Sequence, residues 1–195
     1  MKKETKRCWN TDKQLYNKYH DEEWGVPLHD DNKLFEFLIL DAFQAGLSWW
    51  IILERREKLR EAFDRFDPKK IARYTPKDFE RLMVSPGMIK NKGKINASIT
   101  NAQHFLDIQK EFGSFSNYIW QFVNGKTINN TFKELSNIPT QTVESQAMSK
   151  ELKKRGFKFA GPTICYSFMQ AAGLVNDHLV SCFRYEQILK MQKEA

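Results

Sequence analysis

Helix-start signals recur along almost the whole chain, and they limit its fold more than any other feature. Asp67-Pro68 and Thr75-Pro76 each place a capping side chain before a proline, which opens a helix where a missing N–H costs nothing. Ser48 is placed to start a helix toward Phe66, Ser114 one over Phe115 to Val123, and Ser145 one toward Lys154. Asn32 precedes the apolar run Leu34-Phe35-Glu36-Phe37-Leu38-Ile39-Leu40, with Gly46 as its stop. Between Lys94 and Glu111, Ile95, Ile99, Ala102, Phe105 and Leu106 recur at helical spacing. Gly161 precedes a helix over Thr163 to Ala172, and Asn176 a last one through Leu189. No segment alternates convincingly, and Asn124 to Val143 is polar and turn-rich, so no regular structure is expected there. The expectation is an all-α fold, one domain over residues 1–195, with two interleaved helical lobes around a cleft, because both ends of the chain look core-forming.

The 195 residues are enough to bury a substantial core. Lys and Arg outnumber Asp and Glu by 31 to 24, a net +7 that suits a polyanionic partner but is also common without one. No run of about 18 apolar residues is present, which excludes a membrane-spanning helix. The charged start, Met1 to Arg7, leads into no apolar signal core, so a cytoplasmic protein is expected. An odd set of cysteines, Cys8, Cys165 and Cys182, argues against a disulfide scaffold and leaves metal binding open.

His178 and Cys182 are four apart and would share a helix face. With Cys8 and His20 they make a Cys2His2 set, whose mixture of soft and borderline donors suits tetrahedral zinc. Four protein ligands leave no open position, so such a zinc would be structural. Spacing alone does not establish the pairing, since His-x-x-x-Cys also arises by chance. His29 and His104 read as solvated, and Cys165 as a small core residue.

Asp41 follows the greasy run, where an ionised carboxylate without a partner costs several kcal/mol. Phe43, Gln44, Gly46, Leu47, Ser48, Trp49 and Trp50 come directly after it. A carboxylate, an amide and two indoles this close together suit a flat, polar, cationic ring. The alternative is that Asp41 caps the next helix and the tryptophans are core. Tyr16, Tyr19 and Trp24 are open to the same two readings: core, or pocket wall.

Lys150 to Thr163 carries five basic residues and one acid around Gly156 and Gly161, a turn that aims backbone N–H groups outward toward a phosphate. The turn Gly87 to Lys94 is a similar candidate. Lysines also cluster on solvated helix ends, so both turns keep that second reading.

Five segments, taken in order, resemble the 3-methyladenine DNA glycosylase I family. They are Tyr19-His20-Asp21-Glu22-Glu23-Trp24-Gly25-Val26-Pro27, Gln44 to Trp49, Lys153 to Phe159, Thr163 to Gln170 and Gly173 to His178. The resemblance runs from about Arg7 to Cys182. It implies a helix-hairpin-helix DNA glycosylase fold, with the hairpin unit at about 145–172, and a structural Zn2+ on Cys8, His20, His178 and Cys182 that ties the chain ends together. It implies a base pocket of Tyr19, Trp49 and Asp41, with Trp9, Trp24 and Gln44 beside it and Asp41 where the family usually has Glu. It implies DNA contacts from Gly46 and Leu47 as a wedge and from Lys154, Lys158, Gly161 and Thr163 on the hairpin. Val175-Asn176-Asp177-His178 places Asn176 where other helix-hairpin-helix glycosylases carry a catalytic Asp. The implied activity is monofunctional excision of N3-methylated adenine from double-stranded DNA, by a monomer with no obligate protein partner. A zinc-stabilised module that recognises lesions without cutting, and a zinc hydrolase or deaminase with an open metal position, are the rival readings.

Overall fold

The computed structural model describes residues 6–9 and 11–194; Met1 to Thr5, most of the charged start, lie outside them. Ten α-helices carry the described residues: α1 Gln14–Glu22, α2 Asp31–Gln44, α3 Trp49–Ala62, α4 Pro68–Ile71, α5 Pro76–Val84, α6 Lys92–Phe112, α7 Phe115–Ile119, α8 Val143–Lys154, α9 Pro162–Ala171 and α10 Phe183–Glu194. The proline-opened starts fall as the caps dictate: the Asp67 side chain accepts from Lys69 and Lys70, and Thr75 forms a capping box with Asp78. Ser48 and Ser114 cap α3 and α7.

Three starts and one loop differ from the sequence expectation. Asp30, not Asn32, caps α2 by accepting from Lys33 N at 2.8 Å. Asn32 lies inside the first turn, and its neighbour Asp31 accepts from Phe115 N and Ser116 N at the start of α7. Thr142 caps α8, while Ser145 is the reciprocal member of the capping box. The last helix begins at Phe183 rather than after Asn176, which lies in a short strand, β2 Val175–Asn176. That strand pairs in parallel with β1 Ile128–Asn129, inside the stretch expected to be irregular. Two residues per strand leave no room for an alternating signal.

Helix α2 is the axis of the molecule. Leu34 through Phe43 are all buried, and α3, α6, α7 and α9 pack against it. A helix buried all round is apolar all round, which is why its sequence shows a continuous run rather than a stripe. Arg56 of α3 binds Glu36 of α2 at 2.6 Å and Glu23, just past α1, at 2.7 Å, so this buried cation is fully paired. The segment after α1 then runs along the end of α9, with Gly25 N donating to Gln170 O and Leu28 N to Ala172 O. Phe183 N donates to Lys6 O, bringing the two ends of the described chain together. Among the described residues, no helix is long and apolar enough to cross a membrane.

Candidate metal centre and base pocket

Cys8, His20, His178 and Cys182 converge where the chain ends meet, all four buried, with one ligand atom from each within 4.8 Å of the others. Cys8 Sγ lies 3.4 Å from His178 Nδ1; Cys182 Sγ lies 3.5 Å from His20 Nε2 and 3.6 Å from His178 Nδ1. A tetrahedral ion with ordinary zinc–sulfur and zinc–nitrogen bonds requires sulfur–nitrogen separations of about 3.6 Å. The outer partners orient the rings. His178 Nε2 donates to Trp24 O at 2.9 Å and His20 Nδ1 to Asp21 Oδ1 at 2.8 Å, so each ring turns its lone pair to the centre. Arg7 holds Asp21 in turn with a bidentate contact. The hydrogen bond shared by the two thiols holds the Cys182 thiol well below its ordinary range and drives the Cys8 thiol above it. The group can hold a metal ion. A Cβ on Gly25 would stand 3.1 Å from the His178 ring, so that close approach favours glycine.

The aromatic wall of a pocket leans directly on this cluster. Trp9 meets His20 edge-on at 4.6 Å and Trp24 at 4.9 Å, and Trp24 meets His178 at 4.6 Å. Trp9, Tyr16, Tyr19, Trp24, Gln44, Trp49, Ser167 and Gln170 enclose a pocket of about 180 Å³. Tyr19 and Trp49 lie against each other, their rings tilted by 52° with centroids 5.3 Å apart. Trp9 Nε1, Trp49 Nε1 and Asp41 Oδ2 are buried without a hydrogen-bond partner, although such atoms ordinarily have one.

Asp41 is only 1% exposed and stands behind the pocket rather than in its wall. Its Oδ1 accepts from Ser167 Oγ at 2.8 Å, and Ser167 lies 3.2 Å from Gln44 Oε1. Burial pushes the Asp41 carboxyl up to about 8, against the hydrogen bond from Ser167. Ser167 and Gln170 are pocket residues that sequence reasoning did not single out, although both lie inside a quoted segment. Ser167 sits among Tyr166, Phe168 and Met169 on a largely buried helix, and serine alone carries no sequence signal.

Gln44, Ser167 and Gln170 also border an open groove of about 360 Å³ lined by Gly46, Leu47, Ile138, Thr140 and Thr163. Gly46, at φ +77°, takes the backbone through the left-handed region just past α2, and Leu47 is 37% exposed beside it. The hairpin joins α8 to α9, spanning 143–171, close to the expected 145–172. The buried Asn101 clamps it, donating to Lys158 O at 3.0 Å and accepting from Lys158 N at 2.8 Å. Lys153, Lys154 and Lys158 are exposed, as is Thr163 at the start of α9, after Gly161. In the second basic turn, Lys90 and Lys92 are exposed, but Lys94 is not available to a phosphate. Its Nζ is turned inward onto Phe43 O at 2.7 Å and Ala45 O at 2.6 Å, satisfying carbonyls at the end of α2. His29 is exposed as expected yet stacks on Trp120 at 4.6 Å, and His104 is half-buried against Phe157. Cys165 is core.

A helical hairpin placed beside a groove, with an aromatic pocket opening from it, is the frame of the helix-hairpin-helix glycosylases. The match to solved structures is of the same kind: a crystal structure of 3-methyladenine DNA glycosylase I is 50% identical, with 91% of this chain and 98% of that chain covered and a TM-score of 0.88. The Staphylococcus aureus enzyme, described for its recognition of 3-methyladenine, is 41% identical over 89% of this chain and 92% of its own, with a TM-score of 0.87. The DNA-3-methyladenine glycosylase 1 of Escherichia coli K12 is 51% identical over 180 residues, 92% of this chain and 96% of that protein. The family model described as methyladenine glycosylase matches residues 9–185, and the chain belongs to that family.

Proposed function

We propose that this protein is a monofunctional glycosylase that excises N3-methylated adenine from double-stranded DNA and leaves an abasic site in base excision repair. One observation carries the reading: two residues with unpartnered indole N–H groups line an aromatic pocket that borders a groove, and a carboxylate with an unpartnered oxygen is buried behind its wall. A flat cation suits this setting: the rings stack on it, the indole N–H groups meet acceptors on its edge, and the carboxylate behind the wall balances its charge.

The lesion is extruded from the duplex, because its glycosidic bond is out of reach in the stack. Leu47 and Gly46 fill the place it leaves. Lys154, Lys158, Gly161 and Thr163 hold the backbone, through charge and through N–H groups at the start of α9. The base stacks on Trp49 and Tyr19, with Trp9 and Trp24 behind and Gln44 at its edge. Methylation at N3 makes adenine cationic and a good leaving group, so the enzyme needs little general-acid assistance. Asp41, whose carboxyl burial pushes up to about 8, is drawn to its ionised form by the cation and balances the positive charge from behind the pocket wall. The glycosidic bond breaks with its electron pair on the departing neutral base, water adds to the sugar carbon, and the added water gives up its proton to solvent. Asn176, at the position of the catalytic Asp in other members of the superfamily, is wholly buried and donates to Tyr185 O and Asn129 Oδ1; it plays no part in this step.

The metal is zinc, held by Cys8, His20, His178 and Cys182 and closed to substrate. The ion, when bound, ties the chain ends and fixes the wall against which Trp9 and Trp24 rest. The single domain is monomeric on this reading. Mass spectrometry of bases released from methylated duplex DNA tests the function: 3-methyladenine is expected in the supernatant, with no borohydride-trapped protein–DNA adduct. Release of no alkylated base would refute it.

A further inference from the structure

Three consecutive carbonyls at the end of α2 are held, two of them by one ammonium. Lys94 Nζ donates to Phe43 O at 2.7 Å and to Ala45 O at 2.6 Å, and Leu47 N donates to Gln44 O at 2.6 Å. Gly46 and Leu47, the two wedge residues, follow directly. Lys94 is only 6% exposed, and burial, with no nearby charge to offset it, lowers the proton affinity of its ammonium. An apolar side chain would fill the same place without that cost, but it could not hold a carbonyl. Lys94 stands in the first turn of α6. Asn101, seven residues on, lies two turns further along the same face, about 10 Å away. It is the residue that clamps the hairpin through both Lys158 N and Lys158 O. The ring of Phe159, next in the hairpin, also reaches α6, with its Cζ 3.9 Å from where a Cβ on Gly93 would stand. The wedge and the hairpin turn are thus hung on one helix, and neither tie is made by a pocket residue.

We propose that Lys94 and Asn101 are positioning residues for base extrusion: α6 carries them as a fixed two-turn spacer between the Gly46–Leu47 wedge and the hairpin, so that a backbone gripped at the hairpin presses the stack against the wedge. Forcing a base out of the duplex costs stacking and pairing, and the wedge can exert that force only if the backbone contact bears the reaction to it. Where the two turns can slide past each other, the duplex stays bound with its base stacked. Binding energy gained on the phosphates reaches the lesion only through a stiff connection between the two. The proposal rests on the excision reading above and concerns the step before the base meets the pocket.

The test is a double-mutant cycle in the full-length protein. It is read as the single-turnover rate of 3-methyladenine release from methylated duplex at saturating enzyme, at a temperature where every variant is folded, and beside it as Tm. Lys94→Met and Asn101→Ala are each expected to slow release roughly ten-fold, the scale of a sub-ångström misplacement. The double variant should be slowed by little more than either, because one broken tie already uncouples the wedge from the hairpin, whereas the effects on Tm should add, as they do for distant sites with no shared partner. Lys94→Arg, which keeps a charged donor, should recover part of the rate. Binding of free 3-methyladenine, followed by quenching of the pocket indoles, needs no extrusion and should stay at the wild-type level in Asn101→Ala. An unchanged rate in either single variant overturns the proposal, as do losses that multiply to roughly a hundred-fold in the double variant, or a free-base affinity that falls in step with the rate. A wild-type protein that releases no 3-methyladenine would instead overturn the excision reading, and this one with it.

Discussion

Replacing Asp41 by Asn is expected to stabilise the protein in proportion to pH while removing its activity. The carboxyl is raised from 3.8 to about 8 by burial. An acid whose folded-state value is raised binds its proton more tightly when native, so the fold loses stability as pH climbs from about 4 and levels off above about 8. Each unit of that interval is worth about 1.4 kcal/mol, which makes about 6 kcal/mol the ceiling. The amide of the D41N variant keeps an oxygen for Ser167 and has no charge to desolvate. Its NH2 takes the unpartnered position of Asp41 Oδ2, an offset of about 1–3 kcal/mol that does not vary with pH. The informative quantity is therefore the difference in Tm between variant and wild type, measured by calorimetry at intervals from about pH 4.5 to about pH 9. It should grow in favour of the variant by at least about 2 kcal/mol, or roughly 4–8 °C for a chain of this size. In parallel, release of 3-methyladenine should fall sharply while abasic-DNA binding stays near wild type. A Tm difference flat across the range would refute the argument, because it would mean the carboxylate is solvated or paired in the folded protein.

Three other perturbations follow from the same structure. Replacing Lys154 and Lys158 together by Ala should weaken binding to any duplex and lower the slope of log affinity against log salt by up to about 2; an unchanged slope removes the hairpin from the interface. Removing the metal with a chelator, or through Cys182→Ser, should lower Tm and loosen the pocket together, seen as loss of 3-methyladenine binding and red-shifted indole emission; a fully active, chelated protein would detach the cluster from the pocket. Lys94→Met should cost about 2–3 kcal/mol, because two helix-end carbonyls lose a charged donor, with Lys94→Arg recovering part of it; equal stability of this variant and wild type would show those carbonyls to be solvated.

The helices are legible in the sequence because their signals are local. Thr75 with Pro76, and Asp67 with Pro68, act within one turn, and the structure uses both as written. The departures come where adjacent residues of the same chemistry compete. Asp30, Asp31 and Asn32 can each cap, and the choice falls to Asp30 because Asp31 is drawn to the start of α7. The short parallel pair of Ile128 and Asn129 with Val175 and Asn176 depends on partners far apart in the chain and leaves no pattern in either. The same division holds at the site. The cysteine and histidine ligands announce themselves by type, but their convergence is a tertiary fact that spacing could not supply. Ser167 is invisible for the opposite reason: its type is ordinary, and only the fold brings it to Asp41 and Gln44 at the pocket. Lys94 reads as one more lysine of a basic turn until its ammonium is seen turned inward.

Cys8 and His178 stand 170 positions apart, and Trp9 rests on the cluster they share. A ribosome releases the indoles and the first two ligands at the beginning of synthesis and the last two near its end. Throughout that interval α2 and the hairpin can already pack, since their partners lie between. The aromatic pocket is accordingly the last part of the molecule to come into being, and a chain cut short before Cys182 would carry the α8–α9 hairpin without the complete cluster against which Trp9 and Trp24 rest. Termination just ahead of Cys182 removes one of the four ligands and with it the closure of that wall, while leaving α8 and α9 in the chain.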